Sequence, residues 1–205
     1  MIILDFEAYM NSCYKHLSSE QKQVDGSTDP YYEKVEESKL TEIKDDIKHL
    51  LEEGYENEYL TKSEFEAMDP TSKGAAKFYQ IFKVHKKHQA PETPPERPII
   101  SASGSVTENL GLFVEHYIKD LANKHPSYLQ DTPDFLRMVE ERNKGPPLPP
   151  HAVLVTVDVS ALYTNIPQEE GLECVREALY SRNNPKVPTE YIIRLLEVVL
   201  KHNIF

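Results

Sequence analysis

Ala152–Val157, AVLVTV, constrains the fold more than any other stretch of this chain. Its residues are apolar or β-branched with no polar alternation, which is the pattern of a strand covered on both faces. Such a strand requires layers above and below it. Asp158 follows at its carboxyl end. Just before it, NKGPPLPP (Asn143 to Pro150) is the sharpest break in composition and reads as a stiff connector or subdomain boundary.

The rest of the chain is mainly helical. Met1–Leu4 is a short apolar run that reads as a strand, and Asp5 is placed to cap a helix with the face Phe6, Tyr9, Met10, Cys13 and Leu17. After a polar break, SSEQKQVDGSTDP, the stripe Leu40, Ile43, Ile47, Leu50 and Leu51 marks a second helix, with Gly54 suited to the position after its last turn. Thr61 and Glu64 have capping-box spacing, with Leu60 and Phe65 as the staple around it, and Pro70 closes that short helix. Phe78–Val84 and Pro98–Ser101 read as strands joined by the basic, proline-rich loop HKKHQAPETPPE, a projecting hairpin. Ser105 and Glu108 box the start of a helix with the face Leu110, Phe113, Val114, Tyr117, Ile118 and Leu121. Thr132 with Pro133 opens another. Pro167 opens a helix bearing Leu172, Val175 and Leu179, and Thr189 opens the last, with Ile192, Leu195, Leu196 and Val199. These elements define an α+β chain with three parts: an acidic helical segment over 1–70, a hairpin with helices over 71–145, and a β-α portion over 146–205.

Charge is unevenly spread. Residues 1–70 hold 7 Lys/Arg against 18 Asp/Glu and so carry the whole net charge of −11. Within the neutral remainder, Lys73 to Arg97 hold six basic and two acidic side chains, a small basic patch behind an acidic front. The acidic front is a candidate surface for a protein partner. No apolar run is long enough to span a membrane, and the N-terminus lacks the basic start of a signal peptide, which points to an intracellular protein of nucleus or cytoplasm. Cys13 and Cys174 match no disulfide framework or zinc spacing, as expected of thiols in a reducing compartment. His85 and His88 lack the further ligands of a zinc site.

From local pattern, Asp158 has two readings. A carboxylate just past a buried strand is poorly solvated and held in place, which suits an Mg²⁺ ligand; a helix cap or salt-bridge partner is the alternative. The surrounding residues add a resemblance. LVTVDVSALYTNIP is similar to the first palm motif of reverse transcriptases of the Penelope-like retroelement class, L-V-S-F-D-V-x-S-L-Y-T-N-I-P. KFYQIFKVHKK and RPIIS with SVT resemble that class's fingers, F-Y-G-L-P-K-I-H-K, R-P-I-V-S and S-P-T. Phe82 and Val106 stand where the family has proline.

The resemblance implies a partial right-hand polymerase fold: helical N-terminal segment, fingers hairpin with helices, and the start of a palm. It implies RNA-directed DNA polymerase activity in the intact parent, with RNA or DNA primer-template and deoxynucleotides as partners and Mg²⁺ as cofactor. Asp158 would ligate the metals with help from the Val159 carbonyl, and Tyr163 would stack under the nucleotide sugar as the gate against a 2′-hydroxyl. Lys83 and Arg97 would grip the triphosphate, Arg97 bidentately and Lys83 as a mobile point charge. Lys86 and Lys87 are weaker candidates for template or triphosphate contact, with a solvated basic loop as the alternative. The family supplies two more metal carboxylates from Y-x-D-D and shapes its nucleotide pocket with G-x-A-M-G, and these 205 residues contain neither. One aspartate cannot hold two metal ions, so the isolated chain is expected to be inactive as a polymerase. A non-catalytic nucleic-acid-binding or protein-interaction remnant is the alternative. Without the strands that close a palm, Val153, Val155 and Val157 are expected to be partly uncovered.

Overall fold

The computed structural model describes residues 6–22, 28–30, 32–83, 94–159, 162, 166–202 and 204–205. The expected strand over Met1–Leu4, the Asp5 cap, Val84 and most of the hairpin loop lie outside them. The described chain mixes helices with short antiparallel strands, as an α+β reading requires. It divides into two units, Met1–Asn109 with Lys201–Phe205, and Leu110–Leu200.

The first unit begins with helix α1 (Phe6–Leu17), which buries Ser12 and Cys13 but leaves Phe6 exposed. Strands β1 (Glu20–Lys22) and β2 (Thr28–Pro30) pair antiparallel in the segment that the sequence suggests is an irregular break. Their polar composition carries none of the period-2 apolar signal by which strands are recognised. Helix α2 (Glu37–Glu56) buries Ile43, Ile47 and Leu51 on the expected stripe. Gly54 lies inside this helix and is buried, rather than following it, and the helix ends two residues later at Glu56. The Gly54 carbonyl accepts the N–H groups of Tyr59 (2.8 Å) and Leu60 (3.1 Å), which turns the chain into helix α3 (Lys62–Met68).

The α3 capping box forms as its spacing predicts. The Thr61 hydroxyl oxygen accepts the Glu64 N–H (3.2 Å), and the Glu64 carboxylate accepts the Thr61 N–H (2.7 Å). Strands β3 (Lys77–Phe82) and β4 (Glu96–Ser101) form the expected hairpin, with Tyr79 opposite Ile99 and Ile81 opposite Arg97.

Helix α4 (Glu108–Ala122) begins in the first unit and continues into the second. Its start differs from the expected Ser105 box. The Ser105 hydroxyl pairs with that of Thr107 (3.2 Å), while the Glu108 carboxylate accepts the Gly104 N–H (3.0 Å) and the Lys73 ammonium (3.4 Å). The Gly104 N–H first, and then Lys73, hold the Glu108 carboxyl below its ordinary pKa. Gly104, at φ +79°, makes the turn that presents this N–H.

In the second unit, helix α5 (Thr132–Asn143) is capped by Asp131, whose carboxylate accepts the Asp134 N–H (2.8 Å), and none of its residues is buried. Helices α6 (Gln168–Tyr180) and α7 (Thr189–Lys201) supply the core of this unit with Leu172, Leu179, Ile192 and Leu195. Tyr191 and Ile193 are also buried, so α7 is covered over more than the single stripe expected.

The strand expected over Ala152–Val157 does not form. Those residues belong to no helix or sheet, and Val153, Leu154, Val155 and Val157 are 69–88% exposed. A strand buried on both faces exists only with neighbours to pair it and layers to cover it. Among the described residues the sheets are two separate two-stranded ones, and neither includes this segment.

Candidate functional site

The hairpin β3–β4 is the best-defined host for the residues that the sequence singles out. Side chains alternate across a strand, so Phe78, Gln80 and Phe82 share one face of β3, and Lys77, Tyr79 and Ile81 share the other.

The inner face packs on α1 and on the last two residues. The Tyr9 ring meets Phe82 edge-on at 6.2 Å, and His16 stacks on Phe78 at 6.0 Å. Phe78 in turn stacks on Phe205 at 5.6 Å, while Ala76 N–H donates to the Ile204 carbonyl (2.9 Å). Ser12 donates to the Glu96 carboxylate, and His16 Nδ1 lies 3.9 Å from the same carboxylate. The proton of Ser12 thus goes to Glu96 rather than to His16, so this trio is an anchor for β4 and not a nucleophile relay. Gln80 is buried between these groups. Its N–H donates to the Tyr9 hydroxyl (3.1 Å), but neither side-chain amide atom has a partner.

The outer face is exposed on β3 and at Arg97, while Ile99, Ser101 and Lys83 on it are half-buried. Lys77, Tyr79 and Ile81 are exposed on β3, and opposite them stand Ser101, Ile99 and the exposed Arg97. Lys83 follows β3 directly. Its N–H donates to the Pro95 carbonyl (2.7 Å), which extends the ladder by one bond, and alternation puts its side chain on the outer side. Lys83 and Arg97 are therefore diagonal cross-strand neighbours, a relation that separates Cα atoms by roughly 7–8 Å. That spacing suits two cations holding successive phosphates. Glu96, the acidic residue among the described residues of the hairpin, is on the inner face, so Lys77, Lys83 and Arg97 share a side that carries no carboxylate among its described residues.

Asp158 and Val159 belong to the second unit. Both are exposed and follow an exposed irregular segment rather than a buried strand. The expectation that Asp158 is poorly solvated therefore fails, for the same reason that the strand fails. Asp158 alone does not fit a two-Mg²⁺ centre, which needs several convergent carboxylates. Among the described residues no group of three or more His, Cys, Asp or Glu side chains could hold a metal ion. Tyr163, Lys86 and Lys87 lie outside the described residues.

Two outer-face residues, Lys77 and Tyr79, are counted in the basic patch or the hairpin motif without being singled out as site residues. The alternation in KFYQIFK was the signal that could have found them, since it puts them beside Lys83. Cys13 is buried and Cys174 exposed, both as thiols. Among the described residues no helix is long and apolar enough to cross a membrane. Comparison with protein-family models, curated proteins and solved structures finds no match.

Proposed function

We propose that this chain carries the fingers hairpin and first palm motif of a reverse transcriptase of the Penelope-like class, and that its hairpin grips the triphosphate of an incoming deoxynucleotide. The observation that carries the proposal is the diagonal pairing of Lys83 and Arg97 on a face with no carboxylate among its described residues. A planar guanidinium engages two phosphate oxygens at once, and a lysine on the neighbouring strand adds a mobile charge for the next phosphate. The inner face holds this pair in register, because Ser12 and His16 fix Glu96, the residue before Arg97.

Asp158 has the sequence context of a metal carboxylate in an intact polymerase, with Val159 and Tyr163 as its neighbours in the motif. The cofactor of that polymerase would be Mg²⁺, which neutralises charge developing on phosphate oxygens. Among the described residues no carboxylates make such a centre, and the activity we assign to the hairpin cations is nucleotide binding without polymerisation.

Titration of a fluorescent deoxynucleoside triphosphate into the purified chain at low salt tests this. Binding should weaken at least about tenfold in Arg97→Ala, and less in Lys83→Ala, as expected for losing charge-assisted hydrogen bonds to phosphate. Equal affinity in the parent chain and both variants would refute the grip.

A further inference from the structure

The segment 152–157 brings apolar side chains and unpaired backbone together on the second unit. Val153, Leu154, Val155 and Val157 are exposed, and Val159 continues the run at 56% exposure. Among the described residues, 153–157 make no backbone–backbone hydrogen bond. The Ala152 N–H donates to the Pro149 carbonyl (2.9 Å) and closes the turn that precedes the segment. Strand-forming residues with free backbone groups lack both a ladder on their edges and a cover on their faces. The six residues hold no charge, glycine or proline, in a chain whose net charge is −11. Six-residue segments of that composition pair readily with copies of themselves. Pro149 and Pro150 bound the segment on one side and Asp158 on the other, which confines such pairing to it.

We propose that 152–157 is a self-association site, at which a second copy of this chain pairs its own 152–157 as an antiparallel β-strand. The inference goes beyond nucleotide binding and does not depend on it. Apolar residues occupy consecutive positions, so in a strand they face both sides, and the occupant must supply a strand rather than one helix face. A second copy does so and brings no charge to the contact. The flanking residues set the direction. A parallel in-register pair places Asp158 against Asp158, and like charges directly opposite each other are destabilising. An antiparallel pair brings the Asp158 end of one copy to the end that carries His151 in the other, where an imidazole N–H can donate to the carboxylate. Both residues are exposed. Each paired strand keeps one edge free, so further copies can add and the assembly is open-ended. Helix α5 also exposes Leu136 and Met138, but its backbone is already paired within the helix and offers no ladder.

The test is sedimentation velocity of the full chain over the micromolar to millimolar range, at about 0.15 M salt to screen its net charge. Infrared spectra are taken on the same samples. The parent's mass should rise with concentration, and the amide I band of intermolecular β-sheet should grow with it. Val155→Asp puts a charge in the middle of the segment and should raise the concentration of half-association at least about tenfold. Its urea midpoint in dilute solution should match the parent's, so the loss reports on the segment and not on the fold. Leu136→Asp, on the exposed face of α5, should associate as the parent does. His151→Lys should lower the concentration of half-association about two- to fivefold, because an antiparallel pair sets the lysine against Asp158.

A parent chain that stays monomeric throughout, or a Val155→Asp variant that associates as readily as the parent, overturns the proposal. Association lost in Leu136→Asp and kept in Val155→Asp assigns the contact to α5 instead. A mass that grows without the β-sheet band means that the copies meet without pairing strands, and the proposal falls. Weaker association in His151→Lys overturns the antiparallel arrangement, since a parallel pair sets lysine against lysine.

Discussion

Gln80 shows how individual residues depart from simple patterning. It occupies an inward position of β3, where its alternate neighbours are phenylalanines, and its side chain is buried with neither amide atom partnered. An unsatisfied buried amide costs about 1–3 kcal/mol. Gln80→Met, which keeps the length and removes the polar atoms, should therefore stabilise the chain by about 1–2 kcal/mol, read as a higher urea midpoint at unchanged slope. A lower midpoint would mean that the amide has a partner after all. Glu108 behaves in the opposite way. The Gly104 N–H first, and then Lys73, hold its carboxyl below the ordinary value. A depressed folded pKa contributes stability that is present above the unfolded carboxylate range and is lost as pH falls through the folded value. Glu108→Gln should thus reduce the loss of stability between about pH 6 and about pH 3 seen in urea titrations, and leave its slope near neutrality unchanged. An identical acid limb in the variant would show that the contact does not form.

Elements differ in how far the sequence reveals them. The α3 cap was legible because Thr61 and Glu64 satisfy each other within four residues, so nothing distant is needed. The β3–β4 hairpin was legible for a similar reason, since its strand-forming residues and the proline-rich loop between them are local signals. The segment 152–157 was not, because burial on both faces depends on layers that no local pattern supplies. The consequence can be tested. Val155→Asp should change stability by no more than about 0.5 kcal/mol, as at other exposed sites, whereas the same charge in a covered strand would cost several kcal/mol.

Between α6 and α7 one arginine ties the turn together through local hydrogen bonds and one distant ring contact. Arg182 donates to the Leu179 carbonyl (3.0 Å), the Val187 carbonyl (3.2 Å) and the Thr189 hydroxyl (3.1 Å), and lies over the Tyr117 ring at 5.7 Å. Arg182→Ala should lower stability by about 2 kcal/mol. Arg182→Lys should not restore it, since a single ammonium cannot reproduce the fork. Full recovery in the lysine variant would assign the effect to charge alone.

At the scale of the whole molecule, the candidate site was half legible. Lys83 and Arg97 could be named from their motifs, but their common face follows from the register, Ile81 opposite Arg97, which only pairing reveals. Asp158 could be named too, yet its exposure reflects layers that the described residues do not contain. Polymerisation needs several carboxylates around its metals. The 205 residues should accordingly give no template-dependent primer extension with Mg²⁺ and deoxynucleotides, and measurable extension would overturn the separation of binding from catalysis.

The most direct test of that binding is a nuclear magnetic resonance titration of the isotopically labelled chain with a deoxynucleoside triphosphate, which detects even weak association. Amide shifts should cluster at Lys83 and Arg97 and their outer-face neighbours, be lost in Arg97→Ala, and leave the α6–α7 core unmoved. Shifts centred elsewhere, or a hairpin that does not respond to saturating triphosphate, would contradict the claim that this hairpin is a nucleotide grip.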